Sequence, residues 1–193
     1  MTLLTVWPDE RPGSLVLRTE DTEAITAELK RIGVRFERWA VVEGLPREAT
    51  EDEILAAYGD RIGEVVEAQG YRLVDTMRMT PSDDPALAVA AAASRAKFLD
   101  EHTHGDDEDR FFARGSAVYY LHVGEHVYAV LCEAGDLLSI PADTTHWFDM
   151  GTRPDYVSIR FFHSEDGWAG HFTGSKLSSR FAGFDALTAA RWG

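Results

Sequence analysis

Glu101-His102-Thr103-His104-Gly105-Asp106-Asp107-Glu108 sets two histidines and a carboxylate in one short run. Strand side chains alternate with period two, so His102 and His104 share a face if this stretch is extended. Their Cα atoms would then stand roughly 6.6 Å apart. From there both imidazoles can lean onto one ion at roughly 2.1 Å per metal–nitrogen bond. Glu108 follows across an acidic, Gly-containing segment able to turn the chain back. His146, in Pro141-Ala142-Asp143-Thr144-Thr145-His146-Trp147, adds a third imidazole if the fold delivers it. Three imidazoles and one carboxylate suit Fe(II), Ni(II), Mn(II) or Zn(II), and suit Ca(II) or Cu(I) poorly. The set also contains the two-His-one-carboxylate grouping of O₂-activating non-haem iron. Solvated histidines in an acidic loop are the plain alternative, and for one isolated histidine that reading would win.

Outward from this run the chain looks β-rich. Ser116–Val123 and His126–Cys132 flank Gly124-Glu125, a hairpin signal. Gly135–Ile140, Thr145–Met150 and Asp155–His163 follow at intervals typical of a sandwich or barrel. Before it, Asp21–Ile32 places Ile25, Leu29 and Ile32 on one helical face, with Gly33 as a stop. Thr50-Glu51-Asp52-Glu53 reads as a capping box opening a helix through Tyr58, and Ile62, Val65 and Val66 continue a stripe towards Gly70. Thr2–Val6, Phe36–Val41 and Tyr71–Thr80 read as extended, and Ala86–Ala96 as helical after the break at Pro81–Pro85. The tail from Gly170 reads as irregular, closing in a short helix near Phe184–Arg191. These signals predict a mainly β fold with peripheral helices. One domain over 1–193 is expected, with helical elements at about 20–70 packed outside a barrel at about 71–165.

Composition narrows the function. A chain of 193 residues, 45% hydrophobic, suits one well-buried core. A formal charge of −14 excludes a nucleic-acid reader and disfavours anionic membranes, while leaving room for an anionic small substrate beside a metal and a few arginines. One cysteine, Cys132, in an apolar run, excludes an internal disulfide and a Cys-based zinc site. No run of eighteen apolar residues and no signal-like start appears, so a cytoplasmic protein is expected. A monomer is the expected state.

The spacings of His102, His104, Glu108 and Gly115 resemble the first motif of the cupins, which are jelly-roll barrels. Gly135, Pro141 and His146 match the second motif, where Asp143 replaces a glycine and Met150 an asparagine. Lys97 through His104, Asp107 through Phe112 and Pro141 through Gly151 resemble the acireductone dioxygenase family, and the likeness extends over most of the chain, including Trp168. That resemblance implies a metal-dependent dioxygenase that cleaves acireductone (1,2-dihydroxy-3-keto-5-methylthiopentene) with O₂ in methionine salvage. It implies one Fe(II) or Ni(II) per chain, held by His102, His104, Glu108 and His146. The Fe(II) form would give 2-keto-4-methylthiobutyrate and formate, the Ni(II) form methylthiobutyrate, formate and carbon monoxide.

Other positions follow from the same likeness weighed against physics. Arg110, two residues past Glu108, is the candidate catalytic cation, against a salt bridge to Asp106, Asp107 or Asp109. Arg160 is a candidate substrate anchor. Phe98, Phe148 and Trp168 are candidate walls for the substrate tail, against the reading that they are simply core. Glu101 and Asp107 adjoin ligands and point away from the metal on strand alternation, so they are expected to hydrogen-bond around it or assist metal incorporation. The rival readings are another metallocupin enzyme, such as an isomerase, and a non-catalytic small-molecule-binding cupin.

Overall fold

The fold is organised by one long strand. In the computed structural model, which describes residues 1–164 and 169–192, β6 (Glu108–Val123) runs unbroken for 16 residues. Its first half pairs with β8 (Asp136–Ile140) and β10 (Tyr156–Phe162). Its second half pairs with β7 (His126–Glu133) and β9 (Thr145–Asp149). Gly115 sits at the changeover with φ +71°, and a Cβ there would lie 1.8 Å from the Asp155 carbonyl oxygen. Only glycine lets β6 bend this close to β10, whose register slips beside it between Val157 and Ser158.

Two antiparallel layers share β6. One runs β11 (His171–Phe172), β5 (His102–Thr103), β9, β6, β7, β1 (Leu3–Pro8), β2 (Leu17–Thr19). The other runs β4 (Leu73–Met79), β10, β6, β8, β3 (Arg35–Arg38). Among the described residues β2 and β11 end the first layer and β3 and β4 end the second, so the sheet is not closed into a full cylinder. The expected β-rich jelly roll with helices outside is present, but as an open one.

Period two along β6 divides the core. Phe112, Tyr119 and Leu121 face inward with Leu4, Leu138 and Phe148. Phe111 and Ala113 face the other side, under helices α2 (Glu51–Ala57) and α3 (Gly59–Gln69) through Ile54 and Val65. Val118 and Tyr120 face Phe181 and Leu187, the latter on α5 (Phe184–Trp192). Strands covered on both faces read as near-continuous apolar runs, as β7 and the stretch Ala117–Leu121 of β6 do. Each buried Phe or Leu contributes roughly 1.5–3 kcal/mol. Helix α1 (Thr22–Arg31) is capped by Asp21, which accepts from Ala24 N at 2.7 Å, and buries Ile25 and Leu29. The predicted capping box of α2 is present, with Thr50 and Glu53 bonded reciprocally.

Helix α4 (Pro85–Leu99) is different. None of its residues is buried, and a bidentate Arg95–Asp149 pair at 2.6 and 3.0 Å ties its last turns to β9. It ends in Asp100, which delivers the chain directly into β5. The tail is less irregular than expected: β11 pairs with β5, setting Phe172 opposite His102, and a 3₁₀ turn follows at Leu177–Arg180. A two-residue, solvent-exposed strand carries no hydrophobic period to announce it. Among the described residues no helix is long and apolar enough to cross a membrane.

Candidate metal centre

Antiparallel pairing of β5 with β9 sets His102 directly opposite His146, and β9 in turn sets His146 beside Leu121 of β6. His104 follows just after β5, outside the strand, and Glu108 opens β6 across the turn. All four are nearly buried, at 4, 8, 4 and 2% exposure for His102, His104, Glu108 and His146. One ring nitrogen from each histidine lies within 4.8 Å of the others.

The backbone decides what these rings offer. His102 Nδ1 lies 2.7 Å from the Asp100 carbonyl, His146 Nδ1 2.8 Å from the Thr144 carbonyl, and His104 Nδ1 3.0 Å from the Ala169 carbonyl. A carbonyl oxygen only accepts, so each Nδ1 carries its proton and donates. In its neutral form each ring therefore offers Nε2, not Nδ1, as the ligand atom. Glu108 Oε2 stands 3.1 Å from His146 Nε2 and 3.2 Å from His104 Nε2. Adjacent donors on an ion with bonds of about 2.1 Å are separated by about 3.0 Å in an octahedron and about 3.4 Å in a tetrahedron. The donor types, and these two separations, fit a divalent ion of the first transition row.

Electrostatics agree with that fit. Burial, with His146 beside it, pushes His102 down to about 4, so the ring stays neutral. Burial works against the charge of Glu108, yet with no ion bound its carboxyl is held well below the usual range by hydrogen bonds from His104 and His146 when their Nε2 atoms also carry protons, and by the Arg110 charge. Glu108 Oε1 accepts from the Tyr119 hydroxyl at 2.5 Å and from Arg110 Nη2 at 3.0 Å. Burial, with Glu108 beside it, raises the Tyr119 hydroxyl well above the phenol range against the opposing pull of Arg110, so it remains a donor. Arg110 is 7% exposed, and its guanidinium lies 5.0 Å from the Phe148 ring centroid and 5.6 Å from that of Tyr119. The weighed ion pairs between Arg110 and its neighbouring aspartates do not form: Asp106 bonds His163, Asp107 accepts from Ala142 N, and Asp109 pairs with Arg35.

Two cross-links join the loop after β5 to the turn before His146. Asp107 Oδ1 accepts from Ala142 N at 2.8 Å, and Asp143 N donates to the His104 carbonyl at 2.8 Å. Asp143, standing where the resemblance places glycine, has φ +61°; aspartate is among the few side chains that tolerate this region. Glu101 points the other way. Its Oε2 lies 3.1 Å from His122 Nδ1, and its Oε1 accepts from Thr173 Oγ1 at 2.7 Å, tying β5 to the chain after β11.

A cavity of about 330 Å³ opens over the cluster. Arg110, Arg160, Phe98 and Phe148 line it, while Trp168 lies outside the described residues. Arg160 is not a lone anchor: Asp75, its register partner on β4, accepts from Nε at 2.8 Å and Nη2 at 2.6 Å. Sequence reasoning missed Asp75 and Met77 of β4, Lys97 of α4, and Tyr156. Leu73, Asp75 and Met77 alternate along β4 opposite Phe162, Arg160 and Ser158, a signal visible only once the β4–β10 register is known. Tyr119 carried no motif spacing and was missed as well.

The ARD/ARD' family model matches residues 18–170. An acireductone dioxygenase of Saccharopolyspora erythraea is 57% identical over 99% of this chain and 100% of its own length. One of Frankia alni is 54% identical over 97% of this chain and 91% of its own. Among solved structures, the acireductone dioxygenase of Bacillus anthracis with a cadmium ion in its active centre superposes with a TM-score of 0.74 at 25% identity, covering 89% of this chain and 99% of that one.

Proposed function

Because the chain belongs to the ARD/ARD' family of oxidoreductases with the cupin fold, we propose that it cleaves acireductone, 1,2-dihydroxy-3-keto-5-methylthiopentene, with O₂ in methionine salvage. We assign one Fe(II) or Ni(II) per chain to His102, His104, Glu108 and His146. The observation that supports this most directly is the set of three Nδ1–carbonyl hydrogen bonds, which leaves Nε2 as each ring's ligand atom, two of them 3.1 and 3.2 Å from the buried Glu108 carboxylate. The Fe(II) form gives formate and 2-keto-4-methylthiobutyrate; the Ni(II) form gives formate, carbon monoxide and methylthiobutyrate.

The bound ion would orient the enediol oxygens and polarise them for attack by O₂. The chain supplies the rest. Arg110, charged and held against Glu108, faces the cavity and favours the dianion of the substrate over its monoanion. The walls of Phe98, Phe148 and Met77 exclude water and accept an apolar, thioether-bearing tail. Arg160, oriented by Asp75, offers a second polar contact on the cavity side. Glu101 and Asp107 act on the centre by holding its segments in place. The protein is proposed to work as a cytoplasmic monomer, folded as one domain.

The test supplies anaerobically prepared acireductone and O₂ to iron- and nickel-reconstituted protein. Rapid O₂ loss with formate from both forms, and carbon monoxide from nickel alone, is expected. Arg110→Ala should abolish the enhancement while keeping the metal. Metal bound without enhancement over spontaneous oxidation would leave a metal-binding cupin and remove the substrate assignment.

A further inference from the structure

Glu108 is the one anionic donor of the cluster, and its two oxygens live in different surroundings. Oε2 faces the nitrogens of His104 and His146 at 3.2 and 3.1 Å. Oε1 is turned away from them and receives two donors, the Tyr119 hydroxyl at 2.5 Å and Arg110 Nη2 at 3.0 Å. A carboxylate can bind a metal through one oxygen or both. One oxygen already holding two short, buried hydrogen bonds has both lone-pair directions occupied and its electron density drawn elsewhere.

The Tyr119 hydroxyl comes from the same strand as the carboxylate, eleven residues on. The β6 bend at Gly115 brings the two halves together over the core face, and Tyr119, 0% exposed, is fixed there against Phe148 at a ring-centroid distance of 4.7 Å. A tyrosine buried for packing alone needs some acceptor for its hydroxyl. Here it takes the single oxygen whose freedom would change the metal's coordination number.

We propose that Tyr119 is a positioning residue that holds Glu108 to one-oxygen coordination and so keeps two adjacent metal positions open for a chelating substrate. The inference rests on the ligand assignment made above and goes beyond it. With three histidines and a one-oxygen carboxylate, an octahedral ion would retain two sites, as many as a two-oxygen enediolate needs. A carboxylate swung to both oxygens would take one of them, and the substrate could bind through one oxygen only. Arg110 shares the task but also faces the cavity, so Tyr119 is the cleaner handle.

The test uses Mn(II)-loaded protein, whose water-proton relaxation counts metal-bound waters, with metal content measured alongside. Wild type is expected to hold about two such waters, and Tyr119→Phe about one at unchanged metal content. Loss of chelation should raise the KM of the nickel enzyme for acireductone by roughly tenfold, with a smaller change in kcat. Infrared difference spectra of wild type with and without Zn(II) give an arm that needs no variant: the wide splitting of carboxylate stretches that marks one-oxygen binding is expected. A narrow, chelating splitting in wild type overturns the proposal, as does a Tyr119→Phe protein that keeps both waters and the wild-type KM. Wild type that takes up no Mn(II) at all would instead overturn the ligand assignment itself, and the metal analysis distinguishes that result.

Discussion

The floor and the wall of the cavity are built on different principles. On the floor, four polar side chains are each under a tenth exposed, and two of the three histidines are locked by a carbonyl only two residues back in their own segment, Asp100 for His102 and Thr144 for His146. On the wall, Asp75, Met77, Phe98 and Arg160 are half-buried and come from α4, β4 and β10. The floor is preorganised by local backbone geometry. The wall is assembled by long-range pairing, as in Arg160 with Asp75, 85 residues apart. A site that must hold a metal before substrate arrives needs rigidity below, whereas a site that must admit and release a flexible tail tolerates looser packing above.

The largest expected effect breaks the floor. His146→Ala removes one nitrogen and leaves Glu108 Oε2 without one of its two imidazole neighbours. Metal affinity should fall by at least about a hundredfold, activity should vanish with it, and added metal should no longer raise the melting temperature as it does for wild type. Titration of the metal-free protein with Ni(II), followed by calorimetry, measures this directly. Undiminished affinity would show that the histidine cluster is not the binding floor.

A wall substitution should behave otherwise. Asp75→Asn keeps the shape but removes the charge that holds the Arg160 guanidinium, which also lies 5.2 Å from the Phe162 ring centroid. Metal content should be unchanged, and the KM for acireductone should shift by roughly threefold to tenfold with kcat nearly constant. Steady-state kinetics beside metal analysis separates the two regions; a fall in metal content would mean that wall and floor are one coupled unit.

The same contrast explains what the sequence disclosed. His102, His104 and Glu108 are near neighbours in the chain, so spacing alone suggested that they converge, and a motif supplied His146. The hairpin Ser116–Val123 with His126–Cys132 was legible from its turn residues, and the β6–β7 pairing follows it. That β6 begins as early as Glu108 was not, because its first half pairs with strands far along the chain. Asp75 stayed hidden for the same reason: a charged residue on a moderately polar strand looks solvated until its register partner is known. Tyr119 was hidden by the opposite circumstance, since a tyrosine in an apolar run is usually core and nothing in the run marks its hydroxyl's acceptor.

The smallest effect sharpens the comparison with a buried carboxylate that belongs to neither region. Asp136 opens β8 at 0% exposure; its Oδ2 accepts from Thr2 Oγ1 at 2.5 Å and Glu133 N at 2.8 Å, with Arg38 Nη1 3.4 Å from Oδ1. Burial outweighs these partners and raises its carboxyl to about 6, the reverse of Glu108. The folded state therefore binds this proton more tightly than the unfolded chain, where an aspartate titrates near 3.9. Stability from this group is fully present below about pH 4 and is lost as pH rises through about 6. Asp136→Asn should accordingly stabilise the protein by about 1 kcal/mol at pH 7.5 and by little near pH 4.5. Urea denaturation at the two pH values reads the difference. Equal effects at both would mean that Arg38 and the backbone compensate the charge of Asp136 as fully as the histidines and Arg110 compensate that of Glu108, and that burial at a metal floor is electrostatically no different from burial elsewhere in the sheet.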